Sequence, residues 1–257
     1  MSATQQTKIR PLGESAEERR LREEVAACTL ILNSLGILGY SGHVSARLPD
    51  GQHMLIQSFD QSRASLGPDD LLSCDMTGEV VVGPEGIRAP AEVYLHSEIF
   101  KARSDVNSIA HFHDDLATTF TIVKNRPLVP VKNHAIRWAS GIPVHPDPSH
   151  VSDSTLGRAL ADTLGSHEAL QIRAHGQVIV AESVKALLID SVHFVENAQA
   201  LYNAYQLGEV EPLTQAELAD FGRAFNRERH VAKLWKYYTG RAVDDGVVPQ
   251  DWAYAVG

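Results

Sequence analysis

Two imidazoles one residue apart, His111 and His113 in IAHFHDDLATTF, are the clearest chemical signal in this chain. In an extended strand successive side chains alternate faces, so both histidines project one way while Phe112 packs the other. Both nitrogens can then reach one cation, although the same pattern also fits a structural pair on a half-buried strand. A catalytic transition-metal site commonly takes three protein ligands and leaves one position open. His175, beside Gly176 in RAHG, is a candidate third ligand, because a glycine lets the chain turn tightly and present an imidazole to a cleft. A solvent-facing turn histidine is the alternative. Glu92 in PAEVYLHSEIFKAR suits the first turn of a helix through the macrodipole, and equally suits an acid/base beside a cation.

These residues need elements to position them. ESAEERRLREEVAACTLILNSLG reads as a helix ending at Gly36 or Gly39, with Ser15 and Glu18 as a capping box. HVSARLPDGQHMLIQS and LLSCDMTGEVVVG read as two hairpins. A helix with Pro90 in its first turn and Glu92 just inside it precedes the buried strand VNSIAHFH and the short helix DLATTFTIVKN. After a Pro-rich loop come a helix at STLGRALADTLG and two strands in ALQIRAHGQVIVA joined at His175 and Gly176. A long amphipathic helix from ESVKALL to NAYQLG follows, and one last helix runs from about Thr214 through KLWKYY. Strands in the middle and helices at the ends and faces predict one α/β domain, a central, mainly antiparallel sheet flanked by helices, over residues 15–257. Residues 1–14 are expected to be a flexible N-terminal arm.

Composition narrows the class. The 257 residues suffice for one large core without staples, and Cys28 and Cys74 read as reduced core residues of a cytoplasmic protein. A formal net charge of -9 argues against non-specific nucleic-acid binding. No apolar run reaches membrane-spanning length, and no glycine fingerprint for a nucleotide cofactor follows a strand into a helix.

In order, SGHVSAR, PAEVYLHSEIFKARSDV, AHFH and RAHG make the chain resemble the class II aldolase/adducin family over nearly its whole length. The resemblance implies that His111, His113 and His175 bind one divalent ion per chain, zinc or manganese, or else iron or cobalt. It also implies that Glu92 is the acid/base, that the assembly is a homo-oligomer, usually a tetramer, and that the sites lie at subunit borders. Tyr237 and Tyr238 match the place where aldolases of the family use a C-terminal tyrosine near a neighbouring site.

The departures from the sugar-phosphate enzymes are informative. His43 stands where those aldolases usually carry asparagine, QSFD (57–60) replaces a phosphate loop resembling TPSG, and Pro90 and Ala91 replace a serine pair before the glutamate. Asp60 would repel a phosphate if it faced the site. The remaining anion binders are Arg63, Arg88 and Arg137, and a guanidinium fork suits a carboxylate. His134, in the long loop, is a further candidate to touch substrate. The chain looks more like the branch that decarboxylates hydroxylated aromatic or pyridine dicarboxylates. Its expected function is therefore that of a metal-dependent carbon–carbon lyase using an enolate- or phenolate-type intermediate, with Glu92 carrying the proton and His43 positioning the phenol. The alternatives are aldol cleavage of a non-phosphorylated adduct, iron-dependent oxidative decarboxylation, and a non-catalytic module resembling the adducin head.

Overall fold

A computed structural model describes residues 15–252; the arm expected over 1–14 lies outside the described residues. Helix α1 (Ala16–Ser34) opens on Ser15, whose hydroxyl accepts the Glu18 N–H, the first half of the expected capping box. The Glu18 carboxylate turns instead to Arg22, whose guanidinium crosses to the Leu71 carbonyl and the Ser73 hydroxyl and so ties the helix to the sheet.

The expected hairpins form as β1 (His43–Arg47) with β2 (His53–Gln57) and β3 (Leu71–Asp75) with β4 (Val80–Val82). Strands β5 (Ser108–Phe112), β6 (Val144–His145), β7 (Ala169–Ile172) and β8 (Gly176–Ala181) complete one eight-stranded sheet in the order β4-β3-β2-β1-β5-β8-β7-β6. All neighbours are antiparallel except β6 and β7, which makes the sheet mixed. The two-residue β6 gave no periodicity to read.

Strand alternation splits the core into two layers. Val44, Ala46, Ala110, Phe112, Ile179 and Ala181 face α1, α5 (Val184–Leu207) and α7 (Arg227–Asp244). Ile109, Val178 and Val180 face the opposite way, against α2 (Val93–Ala102) and α4 (Ser154–Leu164). His43, Ser45 and His111 share the parity of that second face, so the sheet itself delivers them toward α2.

Three boundaries differ from the sequence reading. Helix α2 starts at Val93, leaving Glu92 as its N-cap residue with no side-chain cap bond and Pro90 before the helix; the carboxylate is engaged elsewhere. The short helix α3 spans only Asp115–Thr119. The single final helix is two, α6 (Gln215–Ala224) and α7, because Phe225 is extended and Asn226 begins a new helix by capping the Arg229 N–H. Helix α4 lies against α2 almost backbone to backbone, since a Cβ on Gly157 would stand 2.6 Å from the Tyr94 carbonyl oxygen. No helix among the described residues is long and apolar enough to cross a membrane.

Candidate metal centre

His111 is fully buried in β5, directly opposite His43 of β1 in the sheet register. His113 stands just past the strand with the same parity, and His175 ends the β7–β8 turn, whose Ala174 holds φ 53°. That left-handed residue costs about 1–2 kcal/mol and aims the next imidazole at the cleft. Gly176 is needed for room, not for its φ: a Cβ there would meet the Phe112 carbonyl oxygen at 2.5 Å and His113 Cδ2 at 2.8 Å. Gly42 does the same work on the other side, with φ 93° and a Cβ position 2.6 Å from the His111 carbonyl oxygen.

Glu92, His111, His113 and His175 offer four ligand atoms all within 4.8 Å of one another. Glu92 Oε2 lies 3.3 Å from His111 Nε2 and Oε1 lies 3.6 Å from His175 Nε2. Neither nitrogen has a hydrogen-bond partner, although both are buried. Buried polar atoms are normally satisfied, so orphaned imidazole nitrogens converging on a carboxylate fit a divalent ion. Three of the four are braced from behind: His111 Nδ1 donates to the Gln177 carbonyl at 3.0 Å, His113 Nδ1 is 3.0 Å from Ser41 Oγ, and the Val151 N–H donates to Glu92 Oε1 at 3.1 Å.

Burial lowers His113 to about 3, helped by the charges of His111 and His175, so its imidazole is neutral and able to ligate. Burial pushes the Glu92 carboxyl up, but contact with His111, its charge and that of His175, and the Val151 N–H hold it below the usual carboxylate range. His43 is held well below its ordinary value, by burial first and then by His96 and His111. Its Nδ1 lies 3.2 Å from His96 Nε2, and His96 Nδ1 lies 2.6 Å from Ser45 Oγ, a buried file of three side chains.

The group opens into a cleft of about 790 Å³, also lined by Tyr40, Phe59, Arg63 and His150. Arg63 donates to the Gly42 and Gln61 carbonyls at 3.1 and 2.7 Å, and Arg88, outside the lining, stacks 4.9 Å above the Phe59 ring. The sequence reading missed His150, 3.6 Å from Glu92 Oε1, and Phe59; the Pro-rich loop and the altered QSFD segment that carry them were the signals available.

The remaining candidates are elsewhere. Asp60 is exposed and does not line the cleft, so it repels nothing bound there. Arg137 is bound to Glu168, Glu182 and Asp190, a carboxylate cluster that already satisfies its fork. His134 packs against His193 of α5. Tyr237, exposed, and Tyr238, packed on the core, are on α7 and do not line the cleft of their own chain.

The profile of the Class II Aldolase and Adducin N-terminal domain matches residues 23–202. The chain belongs to the class II aldolase and adducin family. Among family members, the 3,4-dihydroxyphthalate decarboxylase of Arthrobacter keyseri is 26% identical, over 86% of this chain and 93% of its own. The 3-oxo-tetronate 4-phosphate decarboxylase of Escherichia coli O6:H1 is 24% identical, over 79% of this chain and 95% of its own. The fold is that of an aldolase II superfamily protein from Pseudomonas syringae, with a TM-score of 0.81 at 23% identity, covering 92% of this chain and 97% of that one.

Proposed function

We propose that this family member is a divalent-metal-dependent lyase that decarboxylates a hydroxylated aromatic or heteroaromatic carboxylic acid. The observation that carries the reading is the convergence of His111, His113, His175 and Glu92, with the facing nitrogens of His111 and His175 unpartnered, at the floor of a cleft walled by an aromatic ring and a guanidinium. The likeness to a dihydroxyphthalate decarboxylase supports the substrate class.

The three histidines would hold the ion, which when bound supplies Lewis-acid stabilisation of negative charge on substrate oxygen. Arg63, fixed by the Gly42 and Gln61 carbonyls, keeps N–H groups for a substrate carboxylate, and the exposed Phe59 face offers a surface for a planar ring. His43, neutral and engaged through Nδ1 by His96, positions a ring hydroxyl. Glu92, ionised, takes the proton of that hydroxyl. Glu92 then returns that proton to the ring carbon that bears the carboxylate, giving the keto form; the carbon–carboxylate bond breaks, carbon dioxide leaves, and the electron pair of that bond restores the aromatic ring and returns the ring oxygen to the phenolate. The proposed assembly is a homo-oligomer, the state in which Tyr237 of one chain could enter the cleft of another.

Anaerobic incubation of metal-loaded protein with hydroxyphthalates, hydroxypyridine dicarboxylates and aldol substrates, following carbon dioxide and aldehyde separately, tests the reading. Carbon dioxide without oxygen consumption is expected. Aldehyde alone would identify aldol cleavage, and a strict oxygen requirement would identify oxidative chemistry.

A further inference from the structure

We propose that the chain carries a second transition-metal site, of the zinc class, built by His134, His193 and Glu196 on the opposite face of the sheet from the cleft. His134 belongs to a 3-10 turn (Asn133–Trp138) and the other two to α5, where the spacing His-x-x-Glu puts both on one helix face. One nitrogen of each histidine and a Glu196 oxygen lie within 4.8 Å of one another. The rings of His134 and His193 stack at 3.9 Å with 12° between planes, and His134 Nε2 is 3.6 Å from Glu196 Oε2.

The hydrogen bonding points to a cation here instead of a packing cluster. His134 Nε2 is buried and has no hydrogen-bond partner, and neither has Nε2 of His230, an α7 residue whose ring is 5.3 Å from that of His193. An anion fits less well, because the arginines of the adjoining pocket, Arg137 and Arg227, are already paired with Glu182 and Asp190. Lys132, whose half-exposed amine is 3.1 Å from Glu196 Oε2, is the cation that the ion would displace from that carboxylate. Imidazoles with a carboxylate select a borderline ion such as zinc over calcium or magnesium. Bound there, it would tie the long loop to α5 next to α7, a structural clamp remote from the chemistry.

The test counts metal on the full chain. After chelation and reloading with Zn²⁺, wild type is expected to hold about two ions per chain, and His175→Ala and Glu196→Gln are each expected to lose a different one. In the His175→Ala background, Zn²⁺ should raise the melting temperature and Co²⁺ should give a visible absorption band, and His134→Ala should abolish both. Glu196 is exposed, so Glu196→Gln preserves the fold and keeps the test valid if His134→Ala does not fold. An ion count unchanged by Glu196→Gln, or a His175→Ala chain that binds no Zn²⁺, overturns the proposal. Neither outcome depends on any lyase activity.

Discussion

Glu92 Oε2 lies 3.3 Å from His111 Nε2, while Nδ1 of the same ring donates to the Gln177 carbonyl at 3.0 Å. A carbonyl can only accept, so Nδ1 carries a proton, and Nε2 is the nitrogen that faces the carboxylate and is placed to ligate a cation. A cation held between Nε2 and the carboxylate would engage both groups in a site where water does not.

Glu92→Gln keeps the shape of the carboxylate and removes its charge. The three imidazoles remain, so bound metal, measured by mass spectrometry, is expected to stay near the wild-type amount, whereas His111→Ala should lose the ion of this site. Turnover of the Gln variant should fall by about 10²–10⁴-fold, the usual scale for removing a general acid/base.

Gly176→Ala tests how closely the ligands are packed. Its Cβ would collide with the Phe112 carbonyl and the His113 ring, so β5 and β8 must separate or His113 must turn away. Chemical denaturation should show a loss of about 1–3 kcal/mol, the scale of overpacking, together with weaker metal retention on dialysis.

The two arginines once equal as candidates should behave differently. Arg63→Ala, in the cleft, is expected to raise KM by about 10- to 100-fold, in line with one lost charge-assisted contact of about 1.5–3 kcal/mol. Arg137→Ala should leave KM near wild type and lower the melting temperature, because it strips one of two guanidinium partners from Asp190, a buried carboxylate also held by Arg227.

The pH dependence of stability should carry the signature of buried neutral histidines. His96 is pushed down to about 3 by burial and then by the charge of His111, against the opposing pull of Glu92. Below pH 6.5 the unfolded chain binds a proton that the native chain does not, so stability falls as pH drops from 6.5 toward about 3. The limiting slope is about 1.4 kcal/mol per pH unit for this one group. Denaturation of chelator-stripped protein at pH 7 and pH 5 should show the loss, and His96→Gln should reduce it by about 2 kcal/mol. An equal loss in the variant would assign the acid sensitivity to other groups.

Much of the site was legible because it depends on local geometry. The x-His-x-His alternation in β5, the turn histidine before Gly176 and the glutamate ahead of α2 are each fixed by a few neighbouring residues, and the structure brings all four together. The hairpins and α5 were legible for the same reason. What the sequence could not decide was which distant side chains share a space. Arg63 and Arg137 are alike as letters, yet one reaches the cleft through the loop after β2, while the other is held by carboxylates from α5 and the loops before β7 and α5. His150 approaches Glu92 only because the long loop folds over α2, and His134 meets His193 and Glu196 only because the 3-10 turn lies on α5. Periodicity is a property of neighbours along the chain and sets each element. The pairing of charges and the meeting of imidazoles are set by packing across the sheet, which no local pattern records.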